Sequence, residues 1–443
     1  MVEGRKVYHA AAAMTAHLSL FYLIAAVLWL MAMLQGLFLL RSAVRLLLHV
    51  RRANRESPRL ASGRWKYEPR AVVFLPCCGV DEKLHRTVES LGRQDYADYH
   101  VIFTFESAAD PAYAAVTSWI ADWKNPPTQR IIAGLATNRG QKIHNLLAAL
   151  DRVPADREVF VFLDSDAVPA SDWLGTLIAP LADPQVGAAT GFRWYSADGG
   201  WVNGIRSCWN AASLTLITDP KLSFVWGGST AVRRETFERL AIAQAWDRAL
   251  SDDYQVTRAM HEGRMKIQFV PRAIVPSHEP TTFRNFWTFA RRQLVITRVC
   301  GPALWRAALI LCLNFILGGT AVAVLFFAAL WQWIPDHWLM WPAFAAWMAV
   351  IGVACINAAI RQFAVRQVLK YPDVTWRDFA WDVGGVNLSG MLHLSLLFAS
   401  LTSRSFVWRN TVYELISPDE TKILGRLDRS PNLSPPIHPT TIP

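Results

Sequence analysis

Cysteine is scarce and poorly spaced for any framework. The 443-residue chain has six, at positions 77, 78, 208, 300, 312 and 355, with no Cys-x-x-Cys pair. That pattern argues against a disulfide scaffold and a zinc site, and it puts the soluble part in a reducing compartment. Charge is also scarce: 18% of residues are Asp, Glu, Lys or Arg, against 52% hydrophobic. Such a balance points away from a wholly soluble chain and towards membrane segments. There is no separate Lys/Arg-rich arm, no zinc-knuckle spacing and no internal repeat. The formal charge of +10 comes from basic residues flanking apolar runs. This favours a membrane surface over nucleic acid as the anionic partner.

Long apolar runs are present. Residues 17–40 form one that is long enough to cross a bilayer and too long for a signal-peptide core. Arg41, Arg45, Arg51, Arg52, Arg55 and Arg59 follow it, and only Arg5 and Lys6 precede it. The positive-inside rule then places the chain after this run in the cytoplasm, as expected for a multi-pass inner-membrane protein. Residues 303–333 and 338–360 are two further spans. Trp331, Trp333, Trp338 and Trp341 crowd the turn at Pro335-Asp336 like an interfacial aromatic belt. Residues 383–401 are a weaker candidate, interrupted by Asn387 and His393, that either spans or re-enters. With four spans the basic tail would lie outside, against its charge. The Pro-, Ser- and Thr-rich end, 430–443, reads as disordered.

Between these runs, residues 68–300 read as soluble α/β. Apolar strands begin near Ala71, Val101, Arg130 and Val159. They alternate with helices near 82–93, 111–123 and 141–150, which implies βαβ units and a mostly parallel sheet. The expected layout is an N-terminal span (1–41), a basic juxtamembrane linker (42–67), the α/β domain (68–300), C-terminal membrane helices (301–403) and a basic, then disordered, tail (404–443).

The run Val159-Phe-Val-Phe-Leu163 ends at Asp164-Ser-Asp166. Acids at i and i+2 of a strand end can reach one cation, and open α/β sheets bind ligands at that edge. Hard oxygen donors suit Mg2+ or Mn2+ on a diphosphate. The bland alternative is a solvated turn whose Asp caps the next helix. Ser251-Asp252-Asp253 precedes a helical pattern and could likewise be a plain cap.

Several stretches occur in one order: Pro76-Cys-Cys-Gly79, Glu106 to Asp110, Asn138 to Asn145, Asp164-Ser-Asp166, Gly227-Gly228-Ser229, Ser251-Asp-Asp-Tyr254 and Arg291-Arg-Gln293. From about residue 70 to 300, together with the flanking spans, the chain resembles membrane glycosyltransferases of GT-A fold (families 2 and 21). Within that class it most resembles the ceramide glucosyltransferase type and its bacterial relatives. The resemblance implies a UDP-sugar donor, a divalent metal and inverting transfer. It implies that Pro76 and Cys78 belong to the nucleoside loop, and that Glu106, where the family usually has Asp, or Asp110 faces the nucleoside. Lys142 and Asn145 match a Lys-x-x-Asn stretch beside the diphosphate. Asp166 is the implied metal ligand, with Asp164 beside it on the nucleotide, and Gly228 lies in the loop under the donor sugar. Asp253 is the implied general base and Asp252 its support.

Arg292 matches the Arg of a Gln/Arg-x-x-Arg-Trp signature. Gln293 stands in place of its Trp, and Phe289 holds the leading position. Processive synthases use that Trp to stack the acceptor sugar, so its loss favours one sugar placed on a lipid. His278, Glu279 and Arg298 are acceptor-side candidates. Phe406 to Tyr413 resembles a Trp-Arg-Gly-x-x-Tyr segment, with Asn410 replacing Gly. The expected activity is transfer of one sugar from a UDP-sugar to a membrane lipid hydroxyl of ceramide or related glycolipid type. The alternatives are a processive polysaccharide synthase and a non-catalytic membrane scaffold with a degenerate site.

Overall fold

The computed structural model describes residues 2–427, with side chains from residue 15 onward. The 430–443 tail lies outside the described residues. Ten strands are described: β1 (Ala71–Pro76), β2 (Tyr99–Phe105), β3 (Thr128–Ile132), β4 (Val159–Leu163), β5 (Val186–Tyr195), β6 (Ser229–Arg233), β7 (Lys266–Ser277), β8 (Ser405–Trp408), β9 (Thr411–Ser417) and β10 (Glu420–Arg426). The first seven form one sheet in the order β3-β2-β1-β4-β6-β5-β7. Its central strands β1 and β4 are apolar because helices cover both faces, whereas the edge strand β3 (Thr128–Ile132) is polar and partly exposed. One apolar cluster gathers Val73, Leu75, Phe103 and Val161 on one face, and another gathers Phe74, Phe162, Phe237 and Trp246 on the other. Phe74 and Phe162 stack at 5.2 Å between ring centroids, which locks β1 to β4 in register.

β6 departs from the simple alternation: it runs antiparallel to both β4 and β5. After β5 the chain reaches the carboxyl edge, forms the helix Trp201–Leu214, and starts β6 from that same edge. The Gly227-Gly228 loop is thereby delivered beside the end of β4, where Leu163 pairs with Ser229.

Among the described residues, three helices are long and apolar enough to cross a membrane: Thr15–Arg55, Pro302–Leu330 and His337–Val365. They are tied by polar contacts that hydrocarbon cannot supply. Gln35 Nε2 donates to the Leu311 carbonyl at 3.0 Å, and Asn314 Nδ2 donates to Gln35 Oε1 at 2.7 Å. The four tryptophans at the turn are all exposed, as the aromatic-belt reading expected.

Three expectations change. Residues 42–55 are not a linker: the first helix is continuous through Arg55, and His49 reaches the Phe269 carbonyl of β7 at 2.8 Å. Its basic residues interrupt the hydropathy but not the helical backbone. The weak run 383–401 becomes Val386–Ala399, 14 residues preceded by the short helix Trp376–Gly384. At about 1.5 Å per residue it falls short of the ~30 Å hydrocarbon core. The basic tail is partly a folded sheet, β8–β10. Phe406, Tyr413 and Leu415 pack there against Leu250, Val295 and Ile296. The short strands end in turns with exposed charge, so their apolar residues alternate too briefly to stand out in the sequence.

Candidate functional site

The site is built at the carboxyl edge of the sheet, around one ammonium group. Lys142 lies in the first turn of the helix Gln141–Leu150. Its Nζ is 2.8 Å from Asp164 Oδ1, 2.9 Å from Asp252 Oδ2 and 3.2 Å from the Gly227 carbonyl. Residues 142, 164 and 252, far apart in the chain, therefore share one cleft. Burial works to lower the Lys142 pKa, but Asp164 and Asp252 outweigh it and hold the group above its ordinary value. Burial pushes Asp252 up to about 6. Lys142 opposes that rise, and Asp253 and Asp164 add to it.

Asp253 stands next to Asp252 at the start of the helix Asp252–Glu262, whose N-cap is Ser251. Its Oδ1 accepts from the Tyr254 amide at 2.8 Å and from the Ser251 hydroxyl. Among the described residues no hydrogen bond is made by Oδ2. The capping reading is thus correct for Ser251, and the cap orients the Asp253 carboxylate while leaving one oxygen open. The Tyr254 hydroxyl donates to Thr297 Oγ1 at 2.7 Å.

Asp166 is held by a residue the sequence reading passed over. Arg193 of β5 grips both Asp166 oxygens, Nη1 at 2.8 Å from Oδ2 and Nη2 against Oδ1, and its Nη2 is 3.7 Å from Asp164. Burial opposes ionisation of Asp166, yet Arg193 outweighs it and keeps the carboxyl below the usual range. The guanidinium lies 5.3 Å from the Trp226 ring and 5.9 Å from Tyr195. A lone cation in the otherwise apolar strand Val186–Tyr195 was the available signal. Lys83 and Arg206 were also missed: Lys83 Nζ is 2.5 Å from Glu279, and Arg206 lies 4.3 Å over Tyr195.

Close backbone approach explains the glycines. A Cβ on Gly228 would come within 2.5 Å of Asp164 Oδ2, and one on Gly227 within 2.4 Å of Asp252 Oδ2. Pro76 ends β1, and the loop after it is anchored where Asp110 Oδ1 accepts from Gly79 N at 2.9 Å. Asp110 is only 1% exposed and also caps the helix Pro111–Trp119 through Ala112 N. Of the two nucleoside candidates it is therefore the buried cap, while Glu106 is half-buried. Cys78 is half-buried in the same loop. Asn145 is buried, and its Oδ1 accepts from Gln141 Nε2 at 2.9 Å; its described role is to brace the loop before the helix.

Arg292 sits 5.0 Å from the Trp408 ring and 5.6 Å from Phe289. Burial lowers it to about 10, and no carboxylate pairs with it among the described residues. Trp408, the aromatic beside Arg292, belongs to the C-terminal sheet. His278 and Arg298 go elsewhere: His278 Nε2 meets Asp373 at 2.9 Å, and Arg298 donates to the Ser403 carbonyl at 3.4 Å. Both tie the sheet domain to segments that follow the spans.

A family model described as glycosyl transferase family 21 matches residues 24–421. The chain belongs to that family. Among solved structures, glucosyl-3-phosphoglycerate synthase from Mycobacterium tuberculosis is similar. Its complex with phosphoglyceric acid has 16% identity over 51% of this chain and 78% of that one, with a TM-score of 0.35. Its complex with Mn2+ and UDP-glucose has 16% identity over 51% and 77%, with a TM-score of 0.34. A further mycobacterial protein has 14% identity over 51% and 73%, with a TM-score of 0.36. The chain is a family-21 glycosyltransferase with an α/β domain and membrane-length helices.

Asp164 and Asp166 are hard oxygen donors of the type that Mg2+ or Mn2+ would take. Among the described residues no three His, Cys, Asp or Glu side chains gather into a preformed cage. Two carboxylates at a strand end suit Mg2+ or Mn2+, which take one or two protein carboxylates and complete their shell from phosphates and water.

Proposed function

We propose that this glycosyltransferase moves one sugar, with inversion, from a UDP-sugar to the hydroxyl of a membrane lipid of the ceramide or related glycolipid class. One observation carries the reading: Asp252 joins the Lys142–Asp164 cluster, and the helix it opens with Asp253 and Tyr254 meets the start of a membrane-length helix. A Cβ on Gly301, the residue before Pro302–Leu330, would lie 3.3 Å from Tyr254 Cε1.

Lys142 and Arg292 neutralise the donor's diphosphate. Asp164 faces the nucleotide and Asp166 is the cation ligand. Asp166, with Asp164 beside it, would hold Mg2+ or Mn2+, which would supply Lewis-acid stabilisation to the departing UDP. Asp253 Oδ2 takes the acceptor hydroxyl proton as its oxygen attacks the anomeric carbon. Inversion needs this base on the face opposite the leaving group, so it is distinct from the cation ligands. Pro76, Cys78 and Glu106 line the nucleoside side, Gly228 underlies the sugar, and Glu279, paired with Lys83, serves the acceptor side. The catalytic domain faces the cytoplasm from a cell inner membrane, with Arg41 to Arg59 on the same side.

The test is to incubate the purified chain with a panel of UDP-sugars and lipid extract and to read product masses. One added hexose per lipid is expected. A ladder of lengths would replace this reading with a processive synthase. Absence of both product and UDP binding would replace it with a scaffold.

A further inference from the structure

Arg193 raises a problem of occupancy. Both oxygens of Asp166 are engaged by its guanidinium, and Asp164 is engaged by Lys142. The two carboxylates that would hold a divalent cation are thus already neutralised by the protein's own cations. The Arg193 side chain is 12% exposed, and its Nε is buried without a hydrogen-bond partner among the described residues. A guanidinium cannot shed its proton to make way. It can leave Asp166 only by displacement, and a buried guanidinium without an anion is strongly disfavoured. The diphosphate of a donor bound at Asp164 would bring replacement oxygens to the same place, in the forked geometry that guanidinium prefers.

We propose that Arg193 is a positioning residue that gates the divalent cation. It closes Asp166 to a cation arriving alone, and it moves onto the diphosphate when a nucleoside diphosphate arrives. Cation and nucleotide then bind as a coupled pair, and the coupling is reciprocal. Trp226 and Tyr195 provide the wall along which the guanidinium slides. The inference rests on the proposed role of Asp166 as cation ligand.

The experiment titrates the full chain in detergent with Mn2+, following the free-ion signal by electron paramagnetic resonance, with and without UDP. Calorimetry measures UDP affinity at saturating Mn2+. R193Q is expected to tighten Mn2+ binding in the absence of UDP about tenfold and to weaken UDP binding at saturating Mn2+ about tenfold. R193K, which keeps a point charge without the fork, is expected to fall between the two. Adding Asp166→Asn to R193Q is expected to abolish the gained Mn2+ binding, which assigns it to this carboxylate. The gate is overturned if UDP binds the wild type normally while R193Q takes up Mn2+ alone no more tightly than wild type does. Should R193Q fail to melt cooperatively, R193K decides: less than about twofold tightening of Mn2+ alone overturns the gate. A wild-type chain that binds no UDP at any Mn2+ concentration sinks the donor reading, and the gate with it.

Discussion

At the residue scale, Lys142 and Asp253 divide the labour of the cleft. Lys142 is committed to Asp164 and Asp252, and Asp253 keeps Oδ2 open while Oδ1 is pinned by Ser251 and Tyr254. Asp253→Asn keeps the cap acceptor and removes only the base. Its turnover is expected to fall about a thousandfold, with UDP affinity by calorimetry unchanged. Near-normal turnover would remove Asp253 from the role. Asp252 yields a prediction on pH. Burial raises it to about 6, whereas an unfolded Asp titrates near 4. The folded chain therefore holds this proton more tightly, so stability from this group falls as pH rises from about 4 to 6. Asp166, held low by Arg193, has the opposite sign: its contribution is present above about pH 4 and lost as pH falls. Asp252→Asn is expected to flatten the decline between pH 4 and 6, read as melting temperature against pH. An unchanged slope would contradict the burial of the charged form. The paired Asp motif and the Ser251-Asp-Asp253 cap were legible from side-chain chemistry. Arg193 was not, because its partner lies 27 positions away on another strand.

At the scale of elements, the Gly227-Gly228 loop sets how closely β6 approaches the acids. Gly228→Ala would drive a methyl against Asp164 and Trp226. It is expected to cost about 1–3 kcal/mol of stability and to abolish detectable UDP binding. Gly352→Ala, with open space around it, is the matched control and is expected to behave as wild type in both assays. Strands β1, β2 and β4 were readable because strands buried on both faces are runs of Val, Phe and Ile with sharp ends. The reversal of β6 was not, since direction depends on which edge the preceding connection leaves the chain. The three strands β8–β10 were also missed; their stability comes from packing against Leu250 and Val295.

On the scale of the whole molecule, the three membrane-length helices among the described residues and the C-terminal sheet lead to a prediction of sidedness, taking each helix as one crossing. The described C-terminal strands touch the catalytic domain: the Gln141 amide donates to the Tyr413 hydroxyl at 3.2 Å, and Arg426 Nη2 donates to the Ala136 carbonyl at 2.7 Å. An odd number of crossings then puts the Trp331–Trp341 turn on the opposite side from both. Epitope tags inserted at Asp336 and after Leu427 should respond oppositely to protease in sealed inverted vesicles: cleaved after 427, protected at 336. Equal responses would require a different number of crossings. On that topology no fourth span opposes the basic tail, because Val386–Ala399 is 14 residues long and the described tail packs on the catalytic domain.

Composition and local pattern alone determined that this protein has membrane-length apolar runs and an α/β region with acids at a strand end and a second acid pair opening a helix. Those features depend on near neighbours: hydropathy over some twenty residues, strand ends and caps over a few. Only the tertiary structure decided which cation faces which carboxylate, where β6 points, and that the C-terminal sheet closes on the catalytic domain. Such choices follow from long-range packing, where residues such as 142, 164, 193 and 252 meet only after the sheet has assembled.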